Sequence, residues 1–331
     1  MKRRAAGPGE VTVTTGSRIH FGLLTHRPQS GREFGGVGVM IDSPGWQLKL
    51  SKSSADFGEA IEAARSAYPG CVERAGQILE QLRETGVAPE RPLGIQIESA
   101  IPAHQGLGSG SQLALALARA SDRLSGNETP IEELSQQAGR GNRSAIGTWG
   151  FELGGLLVDG GRYDDGSTAP LVTRVDIPED WRFVLLLPRD SAGLSGTVEA
   201  DAFGSLPGMP DSVTNHLCRI IVMQLVPAFR EARFEEAALA LSEYGKLAGE
   251  YFARIQGGLF THPKMGGLAE KLGEAGIRGL AQTSWGPGCV VLCRNQKMAA
   301  EVASLASGKW LETRIVSGLN RGAAVAVDIG E

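Results

Sequence analysis

Apolar and polar residues first alternate at Glu10 to Thr14 (EVTVT), the pattern of a half-buried strand. The run continues into TTGSRIHFGLL, where glycine and small residues beside apolar positions predict a turn. FGGVGVMID predicts a second strand entered through glycines. After WQLKLSKSS a helical periodicity covers Ala60 to Glu84, and LGIQIES at Leu93 to Ser99 alternates again. The next stretch, Ile101 to Gln112 (IPAHQGLGSGSQ), joins that strand to a helix predicted from about Gln112 to Ser125. Pro130 opens a short helix over Ile131 to Gly139, and the glycine-punctuated GRGNRSAIGTWGFELGGLLVDGG ends in the strand-like GLLVDG. Around Pro178 the texture changes. WRFVLLLP reads as a buried strand, Asp211 to Gln256 as mostly helical, with LCRIIVMQLVPAF apolar nearly all round. A helix at Lys264 to Ala275, the strand CVVLC, a helix at Gln296 to Ser307 and the strands ETRIVS and AAVAVD close the chain. Strands and helices without a strict βαβ rhythm predict an α+β fold. The change near Pro178 divides it into units 1–178 and 179–331.

Size and composition narrow the function. A chain of 331 residues accommodates two domains sharing a cleft. With 42% hydrophobic and 21% charged residues and a net charge of -4, it lacks the basic field that nucleic acid requires, so small-molecule partners are expected. The opening MKRR leads into AAGPGE rather than an apolar run, and no stretch approaches the roughly 18 apolar residues of a membrane span. No membrane partner and a cytoplasmic location are therefore expected. The 4 cysteines are scattered and form no disulfide framework; Cys289 and Cys293 share one face of CVVLC, as core residues do. The 5 histidines show no paired spacing for zinc, so the metal expected is magnesium held through phosphate oxygens.

The chemistry concentrates in IPAHQGLGSGSQ. A strand, a glycine-rich turn and a helix present free N–H groups at the positive end of the helix dipole, where an anion is stabilised, and glycines let phosphate oxygens approach the backbone. The loop lacks GxxxxGK[ST] and GxGxxG, which excludes a Walker loop and a dinucleotide fingerprint.

Pro102 followed by GLGSGS resembles the phosphate loop of the GHMP small-molecule kinases. TTGSRIHFGLL sits where those kinases carry their first motif, and TSWGPGCVV at Thr283 to Val291 is similar to a degenerate form of their third. The resemblance implies a two-domain GHMP-kinase-like fold, an N-terminal α+β domain with a C-terminal ferredoxin-like domain and the site between them. Two positions depart from the kinases. SAIGTWGFELGG at Ser144 to Gly155 puts Gly147 where they carry an aspartate that acts as base or orients the acceptor, and Gly110 stands where they carry a magnesium-binding serine. RIHFGLL, GGVGVMID, GLGSGSQLALA, GRGNRSAIG, GGLLVDGG and TSWGP together are more similar to a non-kinase branch, the beta-ribofuranosylaminobenzene 5'-phosphate synthases, over roughly residues 10 to 330.

That branch implies a decarboxylating pentosyltransferase. It joins phosphoribosyl diphosphate to 4-aminobenzoate or 4-hydroxybenzoate with release of carbon dioxide and diphosphate, an early step of methanopterin-type one-carbon cofactor synthesis. It implies a homodimer, magnesium and no organic cofactor. The alternative is an ATP-dependent GHMP-type kinase whose base has moved to Asp42 or Glu152.

Arginine forks in glycine-rich motifs suit carboxylate and phosphate. The catalytic candidates are Arg18, His20, Asn142 and Arg143, with His20 contacting phosphate or assisting proton transfer. Phosphate or diphosphate is assigned to Gly106, Leu107, Gly108, Ser109, Gly110, Ser111, Gln112 and Arg140. Arg32, Trp149 and Trp285 are assigned to the aromatic substrate, and Asp42 or Glu152 to the metal. Lys264 is a further candidate for phosphate, and His104 has no assigned role.

Overall fold

The chain runs straight through the turn predicted at TTGSRIHFGLL. In the computed structural model, which describes residues 9–52, 67–90, 93–191, 201, 203–283 and 286–328, β1 extends over Glu10–Thr25 and pairs antiparallel with β2, Phe34–Ser51. The glycines serve bulges rather than a reversal: the register shifts between Thr15 and Ser17 and again between His20 and Gly22. A bulge adds a residue, bends the strand and re-aims its side chains. Here it does so at the two ends of the segment that carries Arg18 and His20.

β3 (Gly94–Ser99) pairs with one end of β2, while β4 (Leu156–Asp159) pairs with its other end and with β5 (Leu171–Val175). Helix α1 (Cys71–Glu84) follows β2, and α2 (Ser109–Leu124), α3 (Ile131–Gln137) and α4 (Ile146–Leu153) lie between β3 and β4. The part of the predicted first helix over 60–66 lies outside the described residues. The tract read as glycine-punctuated hides α4, whose two turns hold glycines at 147 and 150. In α2 the run from Leu113 to Ala118 is wholly buried, so this helix forms the centre of the core against β1 and β2.

The second sheet is antiparallel, in the order β7-β8-β6-β9, from β6 (Arg182–Pro188), β7 (Leu280–Gln282), β8 (Cys289–Cys293) and β9 (Leu311–Ser317). That order, with helices between β6 and β7 and between β8 and β9, is the ferredoxin-like arrangement expected for this half. Its helices are α5 (Asp211–Ile220), α6 (Val226–Arg230), α7 (Phe234–Gln256), α8 (Met265–Glu274) and α9 (Gln296–Leu305), with a π-helical turn, Ile221–Leu225, between α5 and α6. The stretch read as apolar all round is two-sided: Leu217, Ile220, Ile221 and Leu225 are buried, whereas Val222 and Met223 are each 63% exposed. β8 is buried on both faces, Cys289, Val291 and Cys293 in one cluster and Val290 and Leu292 in the main core.

The last strand joins the first sheet. β10 (Ala324–Asp328) pairs with Glu10 to Thr14 of β1, closing the edge that β2 leaves open, so it belongs to the first sheet. The chain crosses back after β9, where Gly318 bridges Ile41 and Leu319 N–H donates to the Met40 carbonyl. The main hydrophobic core is likewise continuous from Val11 to Val316. Among the described residues no helix is long and apolar enough to cross a membrane.

Candidate active site

The glycine loop is held from both halves of the chain. Gly106 and Gly108 have φ of 80° and 73°, in the left-handed region that favours glycine, and Gly108 precedes the first residue of α2. The first intrahelical bond is Gln112 N–H to the Gly108 carbonyl at 3.0 Å, so the N–H groups of Ser109, Gly110 and Ser111 open from the positive end of the helix. Arg18 of β1 donates its backbone N–H to the Leu107 carbonyl at 3.1 Å and its Nη1 to the Gly106 carbonyl at 3.2 Å. From the third motif the Thr283 hydroxyl donates to the same Gly106 carbonyl at 2.7 Å.

Two residues assigned to phosphate point elsewhere. The Ser109 hydroxyl donates to the Ile101 carbonyl at 3.0 Å, closing the loop on itself. Gln112 is fully buried, donating to the Gly147 carbonyl at 2.9 Å and accepting from Thr15 Oγ1 at 2.7 Å. Both brace the cradle, because their side chains lie on the inward face of α2. Leu107, 1% exposed, anchors the loop in the core.

A cavity of about 260 Å³ opens beside Ser111, lined by Arg18, His20, Arg140, Asn142, Arg143 and Ser144 together with the apolar Leu23, Phe203 and Phe252. It brings together all four catalytic candidates. Leu23, Phe203 and Phe252 belong to one small hydrophobic cluster, and the Arg143 guanidinium lies over the Phe203 ring at 4.7 Å. Among the described residues no carboxylate lines the cavity. Arg140 has a buried Nε without a hydrogen-bond partner, and burial, then the charge of Arg74, lower its pKa. Arg74, on α1, carries no motif. Its guanidinium occupies the space into which a side chain at Gly110 would project. Among the described residues neither Arg74 nor Arg140 has a carboxylate partner. Two neighbouring cations without counter-charge raise the electrostatic energy of the free protein, and a bound anion lowers it.

His20 is 3% exposed, and its Nε2 lies 3.0 Å from the Ser144 hydroxyl, which in turn donates to Asp159 Oδ2 at 2.8 Å. Asp159 is wholly buried at the end of β4, and both its oxygens accept backbone N–H groups, from Ala145 at 3.0 Å and Gly161 at 3.1 Å. Burial raises its pKa against the pull of these donors. With the single Ser144 proton committed to Asp159, the His20 contact requires a proton on Nε2. Burial, and secondarily the Arg18 charge, hold His20 well below the usual histidine pKa, so the ring is neutral and its Nδ1 is an acceptor.

Other candidates lie away from the cavity. Arg32 stacks at 4.5 Å over Tyr163 and donates to the Gly161 carbonyl. Trp149 packs against the core and donates to the Ala169 carbonyl at 2.9 Å. Glu152 pairs with the buried Arg119 at 3.1 Å. Asp42 accepts from the Ser317 N–H at 3.1 Å and lines a separate cleft of about 740 Å³ that reaches the loop near Pro102. Neither acid meets the cavity, and among the described residues no cluster of three metal-ligating side chains occurs. The described side chains that line the cavity therefore offer no carboxylate set for a protein-held magnesium ion. Lys264 faces Trp310, His104 is exposed on the loop, and Trp285 lies outside the described residues.

Gly147 faces the site. A Cβ there would meet Ser111 at 3.6 Å, Gln112 at 3.8 Å and Arg18 at 4.0 Å, all ordinary contacts. Packing therefore does not bar a Cβ at this position.

Residues 71–151 match the family described as GHMP kinases N terminal domain. The chain is similar to the beta-ribofuranosylphenol 5'-phosphate synthase of Methanothermobacter thermautotrophicus, 30% identical with 95% of this chain and 98% of that protein covered. It is 33% identical to the protein of that name from Archaeoglobus fulgidus, over 72% of this chain and 76% of that one. Among solved structures, the homoserine kinase of Cytophaga hutchinsonii superposes with a TM-score of 0.61 at 16% identity, covering 98% of this chain and 99% of that one. At that identity the likeness is one of fold alone.

Proposed function

The chain belongs to the family of beta-ribofuranosylphenol 5'-phosphate synthases, enzymes of pentosyl transfer, and from that premise we propose how its cavity works. The substrates are phosphoribosyl diphosphate and 4-hydroxybenzoate or 4-aminobenzoate. The relatives' name, a ribofuranosylphenol, favours the hydroxy acid, whose product is a phenol. The observation that carries the reading is the Arg74 and Arg140 pair beside the start of α2, two cations that have no carboxylate partner among the described residues, Arg74 filling the space beside Gly110.

The open N–H groups of Ser109 to Ser111 with Arg74 and Arg140 hold the diphosphate. As the bond between the ribose C1 and the diphosphate oxygen breaks, its electron pair leaves with the diphosphate, and these fixed donors stabilise the growing negative charge. The ring carbon bearing the carboxylate bonds to C1, helped by electron release from the para hydroxyl or amino group. The bond to the carboxylate then breaks as carbon dioxide, and its pair restores the aromatic ring. No proton is gained or lost overall, so the step needs no carboxylate base. Leu23, Phe203 and Phe252 supply an apolar wall for the ring, and Arg143 over Phe203 a partner for its carboxylate. The protein mainly positions two substrates. A magnesium ion would be held through the phosphate oxygens of the substrate and would add to the neutralisation of the leaving group's charge.

The test supplies phosphoribosyl diphosphate and either benzoate, labelled in the carboxyl group, with magnesium and without ATP. Labelled carbon dioxide is expected. Its absence with both acids, from folded protein, refutes the reading; ATP-dependent phosphorylation of a sugar or polyol in its place would establish the kinase alternative.

A further inference from the structure

Resting on that reading of the cavity, we propose that His20 accepts a hydrogen bond from the ribose 2-hydroxyl of the donor substrate, with Ser144 and Asp159 as the positioning residues that fix its tautomer. Three observations carry this. The chain of contacts from Asp159 through Ser144 to His20 Nε2, at 2.8 and 3.0 Å, ends in a ring whose remaining nitrogen is an acceptor. That ring lines the cavity. Along β1 it also stands between Arg18, which braces the phosphate loop, and Leu23 of the apolar cluster.

Ribose joins the two phosphate groups of the donor to the incoming ring, so its hydroxyls fall between the cationic and apolar parts of the cavity. A lone pair at that point needs an O–H or N–H donor, and the sugar supplies one next to the reacting carbon. As the bond to diphosphate breaks, positive charge grows on the sugar. A neutral acceptor drawing on the neighbouring hydroxyl stabilises that charge, as hydrogen bonds to a sugar 2-hydroxyl do in glycosyl transfer, whereas an imidazolium would oppose it. The other available donor, the para hydroxyl or amino group of the aromatic acid, lies a full ring away from the bond being made.

Calorimetric titration of the full chain with pyrophosphate, ribose 5-phosphate, 2-deoxyribose 5-phosphate and 4-hydroxybenzoate tests the assignment in the unaltered protein, His20→Ala and Ser144→Ala. One neutral hydrogen bond predicts tighter binding of the ribose than the deoxyribose compound by about two- to tenfold. That ratio falls to near one in His20→Ala and shrinks in Ser144→Ala, whose imidazole is free to change tautomer, while pyrophosphate still binds. A merely structural role would weaken both sugars alike and leave the ratio unchanged, which overturns the proposal; so does a ratio near one in the unaltered protein. Should His20→Ala fail to fold, an unchanged ratio in Ser144→Ala overturns it equally. Selective loss of 4-hydroxybenzoate binding in His20→Ala would assign the acceptor to the ring and overturn it as well. Failure of pyrophosphate to bind the unaltered protein brings down the diphosphate reading and the proposal together, whereas pyrophosphate binding without sugar discrimination sinks the proposal alone.

Discussion

Gly110→Ala should weaken diphosphate binding without harming the fold. A Cβ at position 110 would overlap the Arg74 guanidinium, the far end of a flexible side chain that can swing away. Alanine also favours a helix over glycine by up to about 1 kcal/mol in an interior, and by less in a first turn. The melting temperature should therefore move by less than about 3 °C. Displacing the guanidinium removes one charge-assisted hydrogen bond to the anion, about 1.5–3 kcal/mol, which is roughly a 10- to 150-fold rise in Kd. Arg74→Met removes the same group by another route. Measured by pyrophosphate calorimetry, each single variant should lose a similar amount, and the double variant should lose no more than Arg74→Met alone, since the two changes act on one interaction. Undiminished affinity in Gly110→Ala, or losses that add in the double variant, would refute the view that Gly110 is small to admit Arg74.

Arg140→Met should raise the stability of the ligand-free protein by on the order of 1 kcal/mol, because it removes a partly buried cation with an unpartnered Nε, yet lower pyrophosphate affinity at least tenfold; thermal melts with and without pyrophosphate separate the two effects, and a destabilised apo form would contradict the reasoning. Gly147→Asp should fold normally and lose pyrophosphate affinity, because its carboxylate would pair with Arg18 beside the cradle; titration checks this, and unchanged affinity counts against it. His20 gives a pH signature. Its folded pKa lies well below the unfolded value near 6.5, so between the two the unfolded chain binds more protons and stability falls as pH drops below about 6.5, by at most about 1.4 kcal/mol per pH unit. Melts of the unaltered protein against His20→Gln from neutral to acid pH should diverge in that window and run parallel above it; parallel melts throughout would mean that His20 is not held neutral.

Much of this arrangement is legible in the chain because local patterns and tertiary demands agree. EVTVT, LGIQIES and CVVLC form strands where alternation or an apolar run places them, and the helix after GLGSGS carries an apolar run that a core must bury. The continuation of β1 through TTGSRIHFGLL was not legible, since a glycine that serves a bulge has the composition of one that serves a turn, and pairing with β2 decides between them. β10 was readable as a strand, but its partner is set by the open edge of β1, which no local pattern encodes. At the site, Arg18, His20, Asn142 and Arg143 were found through their glycine-rich surroundings and meet in one cavity. Arg32, Trp149, Asp42 and Glu152 shared those surroundings but are engaged elsewhere, because adjacency in sequence does not fix side-chain direction. Arg74 was missed for the converse reason: it sits in an ordinary amphipathic helix and meets Gly110 only through the fold. Asp159 did leave a signal, an acid closing the apolar strand LLVD, where burial demands a partner.

The most direct measurement follows the fate of both leaving groups in one reaction. With phosphoribosyl diphosphate labelled in its diphosphate and 4-hydroxybenzoate labelled in its carboxyl group, the protein should release pyrophosphate and carbon dioxide in equal amounts, without ATP and without moving phosphate onto the acceptor. Labelled phosphate on the acceptor, or pyrophosphate released without carbon dioxide, would contradict a cradle that grips the leaving group of a decarboxylating ribosyl transfer.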